Sequence, residues 1–369
     1  MISDSTAAVN QARGTTHVPV DVRAERLGGL TTEAVSGDFA AVDRLETLDL
    51  MRLLNAEDAT VAQAVATQLP RIAEAVDLVV DALRSGGRLL YAGAGTAGRL
   101  GVLDASECPP TFDTDPSQVI GLIAGGPAAL TTAVEGAEDD RAGSHADLAR
   151  LDVGPDDVVV GISASGRTPY AVGAVQEATR RGARTVGLAC NADSPLGEAA
   201  DVAIEVVVGP EVVAGSTRLK AGTAQKLVCN MLTTGAMVRL GKTYGNLMVD
   251  VRATNAKLKD RAHRIVTAAT GADEQAVSRA LAEHDGRAKH AVLALLTDWP
   301  RERVDAELAR THGVLRAAVP NAEDRSSVSD HDGPPLQTGT PDRLRTIVRS
   351  PGSSPTSTPN DETRHGDPT

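Results

Sequence analysis

Five short apolar runs, separated by segments of helical periodicity, constrain the fold of this 369-residue chain more than any other feature. The runs are "RLLYAGA", "QVIGLIAG", "DVVVGISAS", "RTVGLACN" and "DVAIEVVVG". Short apolar strands that alternate with helices are typical of a parallel sheet covered on both faces. We therefore predict an α/β fold built on a doubly wound, mostly parallel five-stranded sheet.

The rest of the chain divides into regions of different composition. Residues 1–27 are polar and aperiodic, which predicts a flexible arm. Residues 28–252 hold the predicted sheet, with helical periodicity before it, a crossover helix at "AALTTAVEGAED" and a long helix within "STRLKAGTAQKLVCNMLTTGAMVRLG". Residues 253–319 predict a small domain of three short helices, broken by Gly and Pro. Residues 320–369 are rich in Pro, Ser, Thr and Gly, which predicts a disordered tail.

Composition excludes several classes of protein. The chain has 49 acidic and 37 basic side chains, so neither nucleic acid nor an anionic membrane is an expected partner. Its three scattered cysteines fit neither a disulfide framework nor a zinc site, and its histidines have no metal-ligand spacing. No apolar run approaches the roughly 18 residues of a membrane span. We expect a cytoplasmic protein without a metal.

The glycine-rich stretch "GAGTAG", residues 93–98, follows the first strand and fits the G-x-G-x-x-G pattern of dinucleotide-binding turns. Such a turn also needs an acidic residue at the end of the second strand to bind the ribose. That strand ends in "LIAGG", without a carboxylate. Pro109 and Pro110 also predict an interruption of the following helix. We therefore predict no nicotinamide cofactor.

A phosphate group remains a suitable ligand for this turn, because a helix N-terminus presents backbone N–H groups and a positive dipole end. A second loop of this kind, "GISASGRTPY", ends the third strand. Helix capping alone explains either loop taken singly. Together, at the carboxyl edge of the sheet, they favour a phosphate monoester. The predicted binding residues are Gly95, Thr96, Ser163, Ser165, Gly166 and Thr168.

Several longer motifs are familiar: "GLIAGG", "AVEGAED", "PEVVAGSTRLKAGTAQK" and "GNLMVDVRATNAKLKDR". From about Thr32 to Ala318 the chain resembles N-acetylmuramic acid 6-phosphate etherases, whose core is a sugar-isomerase (SIS) domain. The resemblance implies removal of D-lactate from N-acetylmuramic acid 6-phosphate, which gives N-acetylglucosamine 6-phosphate for cell-wall sugar recycling. It also implies a cytoplasmic homodimer that uses no metal and no nucleotide.

Two glutamates are candidate catalytic residues. Elimination of lactate needs a base for the C2 proton and an acid for the departing oxygen. Glu107 precedes two prolines, and a helix end there, together with Asp104, would disfavour its ionised form. Glu138 lies among three other carboxylates. Either residue alone has the character of a solvated surface charge. The resemblance assigns Glu107 as the acid and Glu138 as the base.

The position of Glu107 leaves two alternatives open. A straight helix rises about 13 Å from Gly98 to Glu107, which is too far for one sugar phosphate to reach both ends. Either the helix stops short and the chain folds back, or Glu107 serves the site of a partner subunit.

The segment "AGSTRLKAGTAQK" contributes Ser216, Arg218 and Lys220 near the start of the long helix. We expect these residues to bind substrate, with Arg218 or Lys220 receiving the lactyl carboxylate. The alternative is that both cations are helix-end surface charges.

Two other functions use similar loops. A sugar-phosphate-binding regulator, such as the related vertebrate glucokinase regulatory protein, needs no working carboxylates, and an aldose–ketose isomerase needs one base. The pair of glutamates favours the etherase. The chain also departs from the family pattern, with Ala97 where the first loop usually has Ser and Ser36 where Asn is common.

Overall fold

The computed structural model describes residues 30–251 and 256–320. The predicted arm, 1–27, and all but the first residue of the predicted tail, 320–369, lie outside these ranges. Within the described ranges, no helix is both long enough and apolar enough to cross a membrane.

The region around the sheet contains eight helices of the α type and five strands, within residues 30–242. In chain order they are α1 (Thr47–Asp58), α2 (Val61–Ala66), α3 (Leu69–Arg84), β1 (Leu89–Gly93), α4 (Gly95–Phe112), β2 (Val119–Ile123), α5 (Arg141–Arg150), β3 (Val158–Ser163), α6 (Pro169–Arg180), β4 (Arg184–Ala189), α7 (Pro195–Glu198), β5 (Val202–Glu205) and α8 (Lys220–Arg239).

The five strands form one parallel sheet in the order β2-β1-β3-β4-β5. Strand β1 pairs with β2 on one side and with β3 on the other, so that Gly93 lies opposite both Ile123 and Ile162. The chain winds outward from β1 in one direction and from β3 in the other. This arrangement confirms the predicted doubly wound α/β fold.

Helices cover both faces of the sheet because successive residues of a strand point to opposite sides. Leu89 and Tyr91 belong to a core shared with α3, α4 and α8. Leu90 and Ala92 belong to a second core, which they share with α5 and α6. Helices α4 and α6, which follow the adjacent strands β1 and β3, therefore lie on opposite faces.

Helix α4 continues through Pro109 and Pro110 to Phe112, so the predicted interruption at these prolines is wrong. Cys108 and Phe112, which flank the prolines, are both buried in the core. The helix ends at Asp113, whose left-handed backbone lets its N–H donate to the Pro109 carbonyl at 3.0 Å. The prolines occur only in the last turn of α4, so few backbone hydrogen bonds are lost. Packing of the apolar residues in that turn outweighs this loss.

The prediction of a crossover helix at residues 128–139 is also wrong. This stretch contains two short 3₁₀ turns, Pro127–Leu130 and Ala137–Asp139, separated by exposed residues and by Gly136 at φ 72°. The crossover helix is α5, which starts later because Asp140 caps it, accepting the Gly143 N–H at 2.8 Å.

A helical region follows the sheet, as predicted, but it contains more elements than the three expected helices. A hairpin of β6 (Thr243–Tyr244) and β7 (Leu247–Met248) leads into it. The helices are α9 (Ala256–Thr270), α10 (Glu274–Glu283), α11 (Ala288–Thr297), α12 (Arg301–Arg310) and α13 (Leu315–Ala318). Their apolar residues form a core of their own with the hairpin. The proposed division at residue 253 stays a prediction.

A buried histidine, His284, and a half-buried one, His290, lie inside this helical region. The rings of His284 and His290 are 6.2 Å apart, and the His290 Nε2 lies 2.9 Å from an Arg287 nitrogen and 3.4 Å from an Asp305 oxygen. Burial, together with Arg287, lowers the pKa of His290 to about 4. Burial also lowers the pKa of His284. The surroundings of both rings therefore favour the neutral form over the charged form.

This burial predicts a loss of stability in acid. A histidine whose pKa is lower in the folded state loses stabilisation as the pH falls from about 6.5 towards about 4, because the unfolded chain binds the proton first. Between pH 7.5 and pH 5, His290 should account for a loss of about 2 kcal/mol in the free energy of unfolding. The His290→Gln variant should show a correspondingly smaller loss in urea unfolding. Equal losses in both proteins would contradict this assignment.

Candidate active site

A cavity of about 500 Å³ opens at the carboxyl edge of the sheet, beside the ends of β1 and β3. Its lining comes from both predicted phosphate loops, from the loop before α5, from α8 and from a turn near the start of the described chain. The lining residues are Glu33, Ala94, Gly95, Thr96, Ala97, Glu138, Asp139, Ser163, Ala164, Ser165, Arg167, Thr168, Pro169, Thr217 and Gln225.

The first loop joins β1 to α4. Gly95 has φ 52°, a left-handed conformation that favours glycine, and Thr96 follows it in the lining. Gly98 lets α4 approach the strand closely, because a Cβ at this position would lie 2.6 Å from the Gly93 carbonyl oxygen. The N-cap residue, Ala94, forms no side-chain hydrogen bond with this helix end. The first turn of α4 can therefore offer uncapped N–H groups to an anion.

The second loop, between β3 and α6, is organised by its own hydroxyl groups. The buried Ser163 Oγ accepts the Gly166 N–H at 3.0 Å and lies 2.8 Å from the Thr168 Oγ1 and 3.3 Å from the Ser165 Oγ. The Ser165 Oγ accepts the Arg167 N–H at 3.1 Å. Thr168 is the N-cap residue of α6 but makes no side-chain capping bond. These hydroxyls therefore hold the loop in shape and are not helix caps.

Glu138 is one of three acidic side chains in the cavity lining, and it lies on an exposed 3₁₀ turn. A second acidic residue, Glu33, was not among the predicted site residues.

Asn191 fixes the turn that carries Glu33 to the sheet. The Asn191 side-chain oxygen accepts the Thr31 N–H at 2.8 Å, and its side-chain nitrogen donates to the Ala164 carbonyl at 3.0 Å.

Glu107 does not line the cavity. Its side chain is exposed on α4, and the helix continues for five more residues, to Phe112. Glu107 is therefore not at a helix end, contrary to prediction, and the alternative in which the helix stops short is wrong. The other alternative, a role in a partner's site, stays a prediction.

Asp104, one turn before Glu107, points into the protein. Its carboxylate accepts hydrogen bonds from Asn230 at 2.7 Å, from the Tyr91 hydroxyl at 2.9 Å and from Thr233 at 3.2 Å. Burial raises the pKa of Asp104, although these three donors oppose the change. The network ties α4 to β1 and α8, and it thereby fixes the helix that carries Glu107.

The N-terminus of α8 is occupied by protein groups. The buried Glu211 carboxylate accepts the N–H groups of Lys220 and Ala221, each at 3.0 Å. The Lys220 side chain is only 5% exposed, and its Nζ donates to the Glu57 carboxylate at 2.7 Å. Lys220 is therefore a buried, paired cation rather than a surface charge.

The other residues predicted from this segment lie closer to solvent. Arg218 is exposed and Ser216 is half-buried, and neither lines the cavity, whereas Thr217 between them does. Among the lining residues of the described structure, the one cation is Arg167. Arg167 lies between Gly166 and Thr168, both of which were predicted site residues. Its place in the "SGRTP" segment of the second loop could therefore have indicated it from the sequence. The roles of Ser216, Arg218 and Lys220 in substrate binding stay predictions.

Metal binding has no structural support in the described part of the chain. No group of three or more His, Cys, Asp or Glu side chains within residues 30–251 and 256–320 is arranged to hold a metal ion. Cys108, Cys190 and Cys229 are all buried and form no disulfide.

Two loop glycines provide a matched test of this geometry. Gly166 has φ 69°, and a Cβ there would lie 2.4 Å from the Ser194 Cβ, whereas Gly95 has φ 52° and open space around it. Gly95→Ala should cost about 1 kcal/mol, from backbone strain alone. Gly166→Ala should cost about 3 kcal/mol, because steric overlap adds to the strain. Urea unfolding measures both, and equal costs would contradict the close approach of Ser194 to this loop.

Known proteins resemble this chain along most of its length. Residues 71–179 match the profile of the glucokinase regulatory protein N-terminal SIS domain, and residues 135–235 match that of the SIS domain. A Streptomyces avermitilis N-acetylmuramic acid 6-phosphate etherase is 62% identical over 290 residues, which cover 79% of this chain and 93% of the relative. The Streptomyces coelicolor protein of the same name is 61% identical over 83% of this chain and 97% of its own length.

A Rubrobacter xylanophilus relative with this name is 58% identical over 80% of the chain and 97% of the relative. Identity of this extent runs over nearly the whole length of each relative. The chain therefore belongs to the N-acetylmuramic acid 6-phosphate etherase family.

Proposed function

We propose that this protein is an N-acetylmuramic acid 6-phosphate etherase. It cleaves the C3 lactyl ether to give N-acetylglucosamine 6-phosphate and D-lactate, in the recycling of cell-wall amino sugars in the cytoplasm. The observation that carries the proposal is family membership at about 60% identity, combined with one cavity that holds both phosphate loops and Glu138.

The two loops bind the 6-phosphate in this proposal. The uncapped first turn of α4, with Gly95 and Thr96, supplies N–H groups and the positive end of the helix dipole. Ser163, Ser165 and Thr168 supply hydroxyl groups from the second loop, which lines the same cavity. The phosphate thus places the sugar ring beside the acidic part of the lining.

Glu138 acts as the general base in this proposal. The ring-opened sugar has an aldehyde at C1, which acidifies the C2–H bond. Glu138 removes this proton, the electron pair forms the C2–C3 double bond, and the C3–O bond breaks as lactate leaves with a proton from the general acid. Water then adds its hydroxyl to C3 and a proton to C2. The sum is hydrolysis of the ether without a redox change.

Glu107 is the proposed acid, and it acts in the cavity of a second copy of the chain. Its exposed position on α4, outside the lining of its own cavity, supports this arrangement. So does its distance of about 13 Å along the helix from Gly98. A homodimer would then form each complete site from two subunits.

D-lactate release from N-acetylmuramic acid 6-phosphate tests this function. The Glu138→Gln and Glu107→Gln variants should each lose at least about 100-fold in kcat while keeping their shape and stability. An equimolar mixture of the two inactive variants, reassembled at random, should recover about a quarter of the wild-type rate, since one site in each mixed dimer is intact. An inactive mixture with proven subunit exchange would contradict the shared site, and an inactive wild type would contradict the function.

The lactyl carboxylate needs a cation, and three candidates are available. Lys220 and Arg218 both lie outside the cavity lining. Arg167 lines the cavity within the second phosphate loop. We therefore propose Arg167 for this role, and Arg218 and Lys220 stay as alternatives from the sequence.

Comparison of substrate with product isolates the carboxylate, because N-acetylglucosamine 6-phosphate lacks it. Arg167→Ala should weaken binding of N-acetylmuramic acid 6-phosphate by at least about tenfold and leave binding of N-acetylglucosamine 6-phosphate unchanged. Arg218→Ala serves as the matched control and should change neither. Each arginine variant is combined with the inactive Glu138→Gln substitution, so that substrate is not consumed. Calorimetry then gives the Kd of each ligand. A substrate-specific loss in Arg218→Ala instead would return the role to that residue.

The match of residues 71–179 to the glucokinase regulatory protein domain supports a second candidate, a regulator that binds sugar phosphates without cleaving them. Such a protein would bind N-acetylmuramic acid 6-phosphate and release no lactate.

A further inference from the structure

Helix α8 brings one of its faces to the first phosphate loop. At Gly222, a Cβ would lie 3.4 Å from the Thr96 methyl group, so the helix backbone passes directly over this loop residue. Gln225 follows three residues later, which places it on the same face, one turn along. Gln225 is a lining residue of the cavity, together with Thr96 and Ser163.

The Gln225 side chain is buried, and its amide nitrogen has no hydrogen-bond partner in the described part of the chain. Gln225 is 1% exposed, and its Nε2 has no partner among the described residues. A buried amide in this condition is costly, and native proteins rarely retain one without a reason. If the amide oxygen and nitrogen were exchanged, the group would still offer an N–H donor.

Other polar side chains on or near α8 and the second loop have hydrogen-bond partners, unlike Gln225. The Glu211 carboxylate accepts two backbone N–H groups at the start of α8, and Asn230 on the same helix donates to Asp104. The Ser163 Oγ accepts a backbone N–H of its own loop. These polar side chains, of which Ser163 also lines the cavity, are thus paired within the protein, whereas Gln225 keeps a donor that a ligand can use.

We propose that Gln225 is a substrate-binding residue whose side-chain amide donates a hydrogen bond to an oxygen of the sugar phosphate group. The inference rests on the proposed function, since it takes a sugar 6-phosphate as the ligand. The phosphate is the group closest to this position, because Gln225 shares its helix face with the contact to Thr96. An uncharged donor also leaves the balance of charges unchanged in a cavity lined by three carboxylates and Arg167.

A substitution at Gln225 should change ligand affinity and protein stability in opposite directions. Gln225→Met keeps the length of the side chain but removes the unpaired amide, so the thermal midpoint should rise by about 3 °C. The Kd for N-acetylglucosamine 6-phosphate should rise by at least about tenfold, because a hydrogen bond to a charged group is lost. The Ki of inorganic phosphate, measured as a competitor, should rise by a similar factor.

Thr233→Val on the same helix is the matched control. The Thr233 Oγ1 is buried and paired with Asp104 and with the Cys229 carbonyl, away from the cavity lining. Its removal should lower the thermal midpoint and leave both binding constants unchanged. Gln225→Glu provides a second variant of nearly identical shape, and its carboxylate should abolish phosphate binding at pH 8 by repulsion.

Binding measurements separate this inference from the proposed function. A protein that releases no lactate but binds N-acetylglucosamine 6-phosphate in a Gln225-dependent way would overturn the function and support the inference. Unchanged affinity for both ligands in Gln225→Met would overturn the inference. If Gln225→Met bound the sugar phosphate more weakly but bound inorganic phosphate with unchanged affinity, the assignment of the hydrogen bond to the phosphate group would be overturned.

Discussion

The position of the site depends on one topological constraint, the reversal of winding between β1 and β3. These strands are neighbours in the centre of the sheet, but the helices that follow them cover opposite faces. Two chain segments must therefore diverge from one point at the carboxyl edge, and the space between them cannot be closed by either helix. Both phosphate loops, Arg167 and the cavity itself lie at this point.

The remaining elements complete the cavity without filling it. Asn191 fixes the turn that carries Glu33, and Glu211 occupies the N-terminus of α8, so this helix end is not a second anion site. A lining with three carboxylates would repel a phosphate dianion, and in the proposed site the dipoles and hydroxyls of the two loops oppose this repulsion. The cavity thus has two loops suited to an anion and a separate group of acidic side chains. This arrangement suits a site that binds phosphate at one end and removes a proton at the other.

The sequence predicted those parts of the molecule that depend on local patterns. Apolar runs identified all five strands of the parallel sheet, and glycine and hydroxyl residues identified both loops that line the cavity. Tertiary packing decided the rest. Burial of Cys108 and Phe112 carries α4 through two prolines, and the pairing of Lys220 with Glu57 joins residues that are 163 positions apart. Gln225 stood within a recognised motif, but only its unpaired burial indicates a ligand.

Proton removal at C2 is the central chemical claim, and isotope incorporation tests it most directly. The reaction is run in D₂O with N-acetylmuramic acid 6-phosphate, and C2 of the N-acetylglucosamine 6-phosphate product is examined by proton NMR. If a carboxylate in this cavity removes the C2 proton before lactate leaves, each product molecule carries deuterium at C2. Product that retains its original hydrogen at C2 while lactate is released would contradict elimination, and it would indicate direct displacement at C3.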